Sequence, residues 1–479
     1  MSTNRRNFLR NLAVGGGVLA TGIPSFAKVV ATSDEQMDRS ATMEHSGQQF
    51  NMSGYAAPKL ETVRVGVIGL GMRGSEAVAR LSYVDGLEIV ALCDKYPDRV
   101  TKSQMTLEKM GRPKAKEYSG EQGWKALCES NDVDLIYTPT PWDLHAPIAL
   151  LAMKNGKHAA TEVNSGLTID ACWELVETSE KTKQHCMMLE NCCYDFFELL
   201  TLNMARAGMF GELVHAEGAY IHDLSRDWLF NKKAYADMWR LKENYEHNGN
   251  LYPTHGLGPI AQCMNINRGD KMDHMVSMSS NDFTLNNLAN EMAAKDAFFA
   301  PYTNKPYRGN MNTTIIKTAL GKTMMLQHDV SSLRPYSRLH LLSGTKGVAQ
   351  KYPAPERIAF GHSWIKKEEL DDLYKKYSPP IVNHIGTIAK EVGGHGGMDF
   401  IMDWRLIDCL RNGLPLDQNV YDAASWSCIF PLSGRSVAKK SRTVDIPDFT
   451  RGAWQTNKPV DLTLDGGGTT KVRTVAKKG

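Results

Sequence analysis

Gly69-Leu70-Gly71-Met72-Arg73-Gly74 follows directly on the apolar run Val63-Arg64-Val65-Gly66-Val67-Ile68. Glycines at that spacing allow a tight strand-to-helix turn. They also let backbone N–H groups close on a pyrophosphate at a helix N-terminus. A second run, Leu87-Glu88-Ile89-Val90-Ala91-Leu92-Cys93, ends in Asp94, 20 residues after the last glycine. A carboxylate at that point accepts hydrogen bonds from the adenosine ribose and repels a 2′-phosphate, which favours NAD over NADP. Lys95, next to it, argues the other way.

The elements that must hold these groups alternate in type. Residues 76–81 and 148–155 have helical patterns, while 133–137 is a strand running into Thr138-Pro139-Thr140-Pro141. Lys157-His158-Ala159-Ala160-Thr161 leads into Glu162. Strands alternating with helices imply crossovers and a parallel sheet, so 61–190 is predicted to be a Rossmann dinucleotide-binding domain. From Asn191 the texture changes to half-buried strands at 214–220, 272–277, 312–318, 322–328 and 337–343. A hairpin turns at Gly321-Lys322. The fold class is therefore α/β, with a second α+β domain over 191–455 built on a mostly antiparallel open sheet. Residues 399–410 read as an amphipathic helix, 28–60 as a polar linker that need not pack, and 456–479 as a loosely held basic tail.

With 479 residues, 42 % of them hydrophobic, the chain supports two real cores, and a net charge of +3 is too small to suggest nucleic acid as partner. Asn4-Arg5-Arg6-Asn7-Phe8-Leu9-Arg10 precedes a short apolar run broken by Gly15-Gly16-Gly17 and Pro24. This pattern predicts a twin-arginine signal peptide over 1–27, the twin-arginine export machinery as partner, and a periplasmic or cell-surface location. That route carries folded proteins with cofactor already bound. Nicotinamide cofactors are scarce outside the cytoplasm, so an exported NAD protein is expected to restore its own cofactor. Nine cysteines, including Cys192-Cys193, form no CxxC and no Cys/His cluster; they are expected to be buried small residues, and no metal is expected.

Thr138-Pro139-Thr140-Pro141-Trp142-Asp143-Leu144-His145, Gly156-Lys157-His158 and Thr161-Glu162-Val163-Asn164 resemble the Gfo/Idh/MocA oxidoreductase family. Simple dehydrogenases of that family usually have Glu-Lys-Pro where this chain has Glu162-Val163-Asn164, so their acid/base lysine is missing. Further strings are similar to glycoside hydrolase family 109, the NAD-dependent α-N-acetylgalactosaminidases. They are Leu189-Glu190-Asn191, Gly218-Ala219-Tyr220-Ile221-His222-Asp223, Tyr252-Pro253-Thr254-His255, Arg334-Pro335-Tyr336-Ser337-Arg338 and Gly393-Gly394-His395-Gly396-Gly397-Met398-Asp399-Phe400. The resemblance implies NAD contacts from Gly69, Gly71, Met72, Arg73, Gly74, Asp94, Trp142, Asp143, Leu144, His145, Glu162, Val163, Asn191 and the loop Tyr252-Pro253-Thr254-His255. It implies substrate contacts from Tyr220, Arg240, Tyr252 and Tyr336.

It also implies a route to glycoside cleavage other than the usual pair of carboxylic acids. A hydride leaves C3 of a terminal N-acetylgalactosamine for NAD⁺, and the new ketone acidifies the proton on C2. A base removes that proton, the aglycone leaves C1, water adds, and the hydride returns. Net chemistry is hydrolysis. His and Tyr suit the base. His255, in a Gly/Pro-bounded loop, is the first candidate, and Tyr220 is the second, although a tyrosine on a strand ordinarily packs. Arg240 is a sugar-hydroxyl ligand or a solvated helix charge; His395 and Asp399 are site residues or a helix cap. The alternatives are a net NAD-dependent sugar or inositol oxidoreductase, and a sugar sensor that keeps NAD as a structural group. The open sheet offers a face for homo-oligomers.

Overall fold

Every position of Val63–Ile68 except Arg64 is buried, and this strand, β1, forms the centre of a six-stranded sheet. A computed structural model of the chain describes residues 47–473, so the twin-arginine signal peptide predicted over 1–27 lies outside the described residues. The sheet continues with β2 (Leu87–Asp94), β3 (Lys116–Ser119), β4 (Leu135–Thr138), β5 (His158–Thr161) and β6 (Cys186–Met188), in the order β3-β2-β1-β4-β5-β6. Each pairing is parallel. Parallel strands need crossovers, and these include the helices α1 (Met72–Leu81), α2 (Trp142–Lys154) and α3 (Ile169–Thr182). The strand order reverses between β1 and β4, which opens a crevice at their carboxyl ends.

The second sheet has eight strands: β7 (Leu213–Ile221), β8 (Met272–Ser279), β9 (Asn312–Thr318), β10 (Thr323–Asp329), β11 (Leu341–Gly344), β12 (Val348–Gln350), β13 (Arg357–Ala359) and β14 (Val444–Asp445). Their order is β13-β12-β11-β7-β10-β9-β8-β14, antiparallel except for the parallel pair β7 and β10. β9 and β10 form the predicted hairpin, turned at Gly321 with φ +87°. The predicted strand over 337–343 is broken at Leu339 and His340, whose φ values are 58° and 49°. Beside that break Arg338 turns inward and its guanidinium meets Asp195 and Glu198, each at 2.5 Å. Four helices complete the frame around the site: α4 (Trp239–Glu246), α5 (Thr254–Cys263), α6 (Met398–Asn412) and α7 (Val420–Ser427).

Three expectations change. Residues 47–60 are packed: Met52 is buried with its N–H on the Tyr421 hydroxyl at 3.2 Å, and Leu60 N–H donates to the Leu410 carbonyl at 3.1 Å. Phe50, Met52 and Tyr55 bury against the core without any regular period, so no pattern announced them. The tail is held as well, since Trp404 donates to the Thr470 carbonyl at 2.9 Å and Val472 bridges Val84; residues 474–479 lie outside the described residues. Finally, α6 is buried on all sides from Met398 to Leu410. Its charges are paired inside, Asp403 with Arg80 at 2.9 Å and Arg405 with Asp417 at 3.0 Å. All nine cysteines are buried and unbridged.

His158 and His185 are buried together with ring centres 5.2 Å apart, and His185 packs on Tyr55 at 5.3 Å. Burial pushes His158 down to about 4 and His185 down to about 3. Both stay neutral in the fold, whereas an unfolded chain binds protons near pH 6.5. Their neutral packing is therefore fully compatible with folding above about pH 6.5, and stability is lost as the pH falls from there toward 4. The Nε2 of His185 has no hydrogen-bond partner, so a phenylalanine leaves nothing unmet. His185→Phe is expected to lower the acid unfolding midpoint and to gain on the order of 2 kcal/mol at about pH 4, read by circular dichroism against pH.

Candidate active site

The turn after β1 and the amino end of α1 line a cavity of about 820 Å³ between the two sheets' domains. Gly74 is there for packing: a Cβ would fall 1.8 Å from the Gly69 carbonyl oxygen. Gly71 is different. A Cβ on it would meet only the Arg99 guanidinium at 3.7 Å and would stand in the cavity, so the space is that of a cradled group. Asp94, at the end of β2, is buried and accepts the N–H of Leu70 at 2.7 Å and of Tyr96 at 2.9 Å. Lys95 is turned aside onto Glu121 and Asp237, at 3.0 and 3.2 Å. Asp143 and Leu144, in the first turn of α2, line the same wall. These features fit a dinucleotide: open space over a glycine at a helix amino end, and a carboxylate placed for a ribose.

A second cavity of about 300 Å³ adjoins the first, sharing Met72, Arg73, Thr140 and Trp239. Its walls bring together Trp142, His145, Glu162, Val163, Asn191, Tyr220, Arg240, Tyr252 and His255, which lie up to 113 residues apart. Four predicted residues stay off these walls. Gly74 closes its own turn, Pro253 and the buried Thr254 start α5, and Tyr336 packs edge-on against Tyr220 and His222 at 6.2 and 5.1 Å. His145 is buried with Nδ1 and Nε2 on the carbonyls of Asn164 and Thr140, at 2.7 and 2.8 Å, and burial lowers its affinity for a proton.

The chemistry-bearing groups sit in two histidine–carboxylate pairs. His255 Nδ1 lies 2.7 Å from Glu190, a fully buried carboxylate. Burial raises the Glu190 pKa, but the charge and hydrogen bond of His255 outweigh it and hold the group below its usual range. A partner on Nδ1 orients the ring and leaves Nε2 for the cavity. On another wall, His395 Nδ1 lies 2.9 Å from Asp399. Asp399 is buried as well, yet it is held well below the carboxylate range by His395, Arg73 and Arg80. Arg73 also donates to Glu162 at 2.9 Å, and Asn191 donates to Asp399 at 2.5 Å. Arg240 is buried beneath an aromatic cage, its guanidinium 4.9 Å from the Tyr252 ring and 5.5 Å from Trp142, with one N–H on the Tyr235 hydroxyl at 2.7 Å. It is no solvated helix charge. Tyr220 meets His222 Nδ1 at 3.0 Å.

The sequence assigns no site role to Glu190, His222 or Tyr235, although Glu190 and His222 stand within strings that carry the family resemblance. Glu190 lies 65 residues from His255, and no local spacing links them. Glu190, Cys192 and His255 also place three ligand-type atoms within 4.8 Å, the one such group among the described residues. The absence of any Cys/His ligand cluster was expected from sequence; the fold assembles this one across 65 residues, and Glu190 and His255 bind each other.

A family model described as the C-terminal domain of glycosyl hydrolase 109 matches residues 194–456, and one described as the oxidoreductase family NAD-binding Rossmann fold matches 63–190. The glycosyl hydrolase family 109 protein 1 of Bacteroides fragilis (strain YCH46) is 45 % identical over 446 residues, which cover 89 % of this chain and 93 % of the relative. The chain belongs to glycosyl hydrolase family 109. An α-N-acetylgalactosaminidase of Bacteroides fragilis (strain ATCC 25285) is 47 % identical over 413 residues, covering 85 % of this chain and 96 % of that protein. Among solved structures, levoglucosan dehydrogenase in complex with NADH superposes with a TM-score of 0.58 at 16 % identity, over 81 % of this chain and 100 % of that one. At that identity the likeness is one of fold.

Two consequences are testable. Gly71→Ala is expected to fold with a melting temperature within about 2 °C of wild type, while dinucleotide binding, measured by calorimetry, falls about tenfold or more as the methyl enters the cradle. Glu190→Gln keeps the shape beside His255 but removes the charge that orients it. Turnover is expected to drop about 100-fold or more with KM little changed, in steady-state kinetics.

Proposed function

We propose that this family 109 protein hydrolyses terminal α-N-acetylgalactosamine from glycans or glycoconjugates, with a tightly held NAD that is restored in every round. The observation that carries this reading is the His255–Glu190 pair, which opens onto a cavity continuous with the dinucleotide crevice. When bound, NAD⁺ supplies a hydride acceptor for sugar C3 and gives the hydride back at the end. Gly69 to Arg73, Asp94, Asp143 and Leu144 would hold it on one side, and Trp142, Glu162, Val163 and Asn191 at the sugar end.

The chain's own residues do the rest. His255, oriented by Glu190, takes the C2 proton at Nε2; Tyr220, on the adjacent wall, is the second group able to do so. His395, oriented by Asp399 and facing the same cavity, gives a proton to the departing glycosidic oxygen. Arg240 and Tyr252 hold the sugar by its polar groups, with Arg240 made a firm donor by the aromatic rings that exclude water around it. The absence of lysine at Val163 speaks against simple alcohol oxidation, and the twin-arginine pattern supports export with the cofactor in place.

Incubation with an aryl α-N-acetylgalactosaminide in D₂O tests the reading. Sugar release with deuterium at C2 and no build-up of NADH is the expected result. His255→Ala is expected to lose release and C2 exchange by about 1,000-fold or more while retaining the dinucleotide. Sustained NADH formation with excess NAD⁺ would instead make the protein a net sugar oxidoreductase.

A further inference from the structure

The outer wall of the larger cavity is supplied by the second domain, from Lys233, Tyr235 and Asp237 to the first turns of α4. This segment is pinned to its own domain at both ends. Lys232 pairs with Asp296 and lies over the Phe298 ring at 4.5 Å, and Met238 is buried in a cluster with Leu224, Phe230 and Leu241. Between those anchors Asp237 reaches across the crevice. Its carboxylate meets Lys95 Nζ at 3.2 Å and accepts the Tyr96 hydroxyl at 2.9 Å, both residues on the turn directly after Asp94. The crossing is made by two consecutive left-handed residues, Asp237 and Met238, with φ 56° and 55°. Neither is a glycine, so the backbone is held there by what its side chains grip.

We infer that the segment 232–238 is a latch over the dinucleotide, closed by Asp237 on Lys95 and Tyr96, and that this contact sets how slowly the bound cofactor leaves. The inference rests on the proposed reading that the crevice holds NAD. The latch differs in kind from the buried ties nearby. Lys95 and Asp237 are 46 % and 55 % exposed, whereas Arg73 joins an Asp399 with no exposure. Exposed pairs are individually weak and are screened by salt, so this contact opens without unfolding anything. Occupying Lys95 has a second effect, because an ammonium held by Asp237 and Glu121 is not free for a 2′-phosphate. A carboxylate from the second domain thus closes the crevice and holds Lys95 aside, while Arg99 stands 3.6 Å from Asp94.

The test uses the holoprotein loaded with NADH, mixed with excess NAD⁺, while the fluorescence of bound NADH decays. Asp237→Ala is expected to release NADH about tenfold faster than wild type. Raising the salt from about 0.05 M to about 0.5 M should speed release from wild type markedly more than from Asp237→Ala. Asp237→Asn, which still accepts a hydrogen bond, should fall between the two and show little salt effect. Wild-type release from Asp237→Ala would overturn the latch, as would faster release that keeps the full salt dependence. A wild-type protein that takes up no dinucleotide would overturn the underlying cofactor reading along with it.

Discussion

The Asp399 carboxylate has no exposure to solvent and touches Arg73, Asn191 and His395 at once. A charge in that position is tolerable only because cations and N–H donors surround it. The arrangement ties three parts of the molecule to one pair of oxygens. Arg73 belongs to the helix that carries the glycine-rich turn, Asn191 follows the last strand of the first sheet, and His395 precedes α6 of the second domain. Through Glu162 the same guanidinium reaches the end of β5. The spacing of the two cavities is therefore set by an ionic knot around a buried carboxylate, not by loops.

Below that knot, Arg80 and Tyr137 both hold Asp403 at 2.9 Å, one turn along α6. The helix that sequence patterning describes as half exposed is instead a charged rod run through the interior. Removing one member of such a set leaves its partners buried and unpaired, so the set stands or falls together. Rigid placement suits the proposed reaction, in which one bound sugar presents C3, C2 and C1 in turn to different groups. Small displacements in such sites reduce rates sharply.

The two histidine–carboxylate pairs divide the cavity. Glu190 behind His255 is wholly buried, while His395 is more than half exposed, at 55 % of its side chain. One ring faces the interior of the cavity and the other its solvent side, as the proposed roles of the two histidines require. Arg240, caged by Tyr235, Tyr252 and Trp142, adds a cation that no carboxylate pairs with among the described residues.

Local chemistry was readable along the chain wherever neighbours in sequence are neighbours in space. The glycine turn, Asp94 at a strand end, the β9–β10 hairpin and the alternation of strands and helices all depend on contacts a few residues long. Segments without periodicity hid their packing: Phe50, Met52 and Tyr55 bury irregularly, and α6 draws its paired charges from elsewhere. The pairing of Glu190 with His255, of Asp399 with Arg73 across 326 residues, and of Asp237 with Lys95 has no sequence signature at all. Such contacts arise only when two independently patterned domains meet, because an ion pair reports its partner through space and leaves no period in the chain.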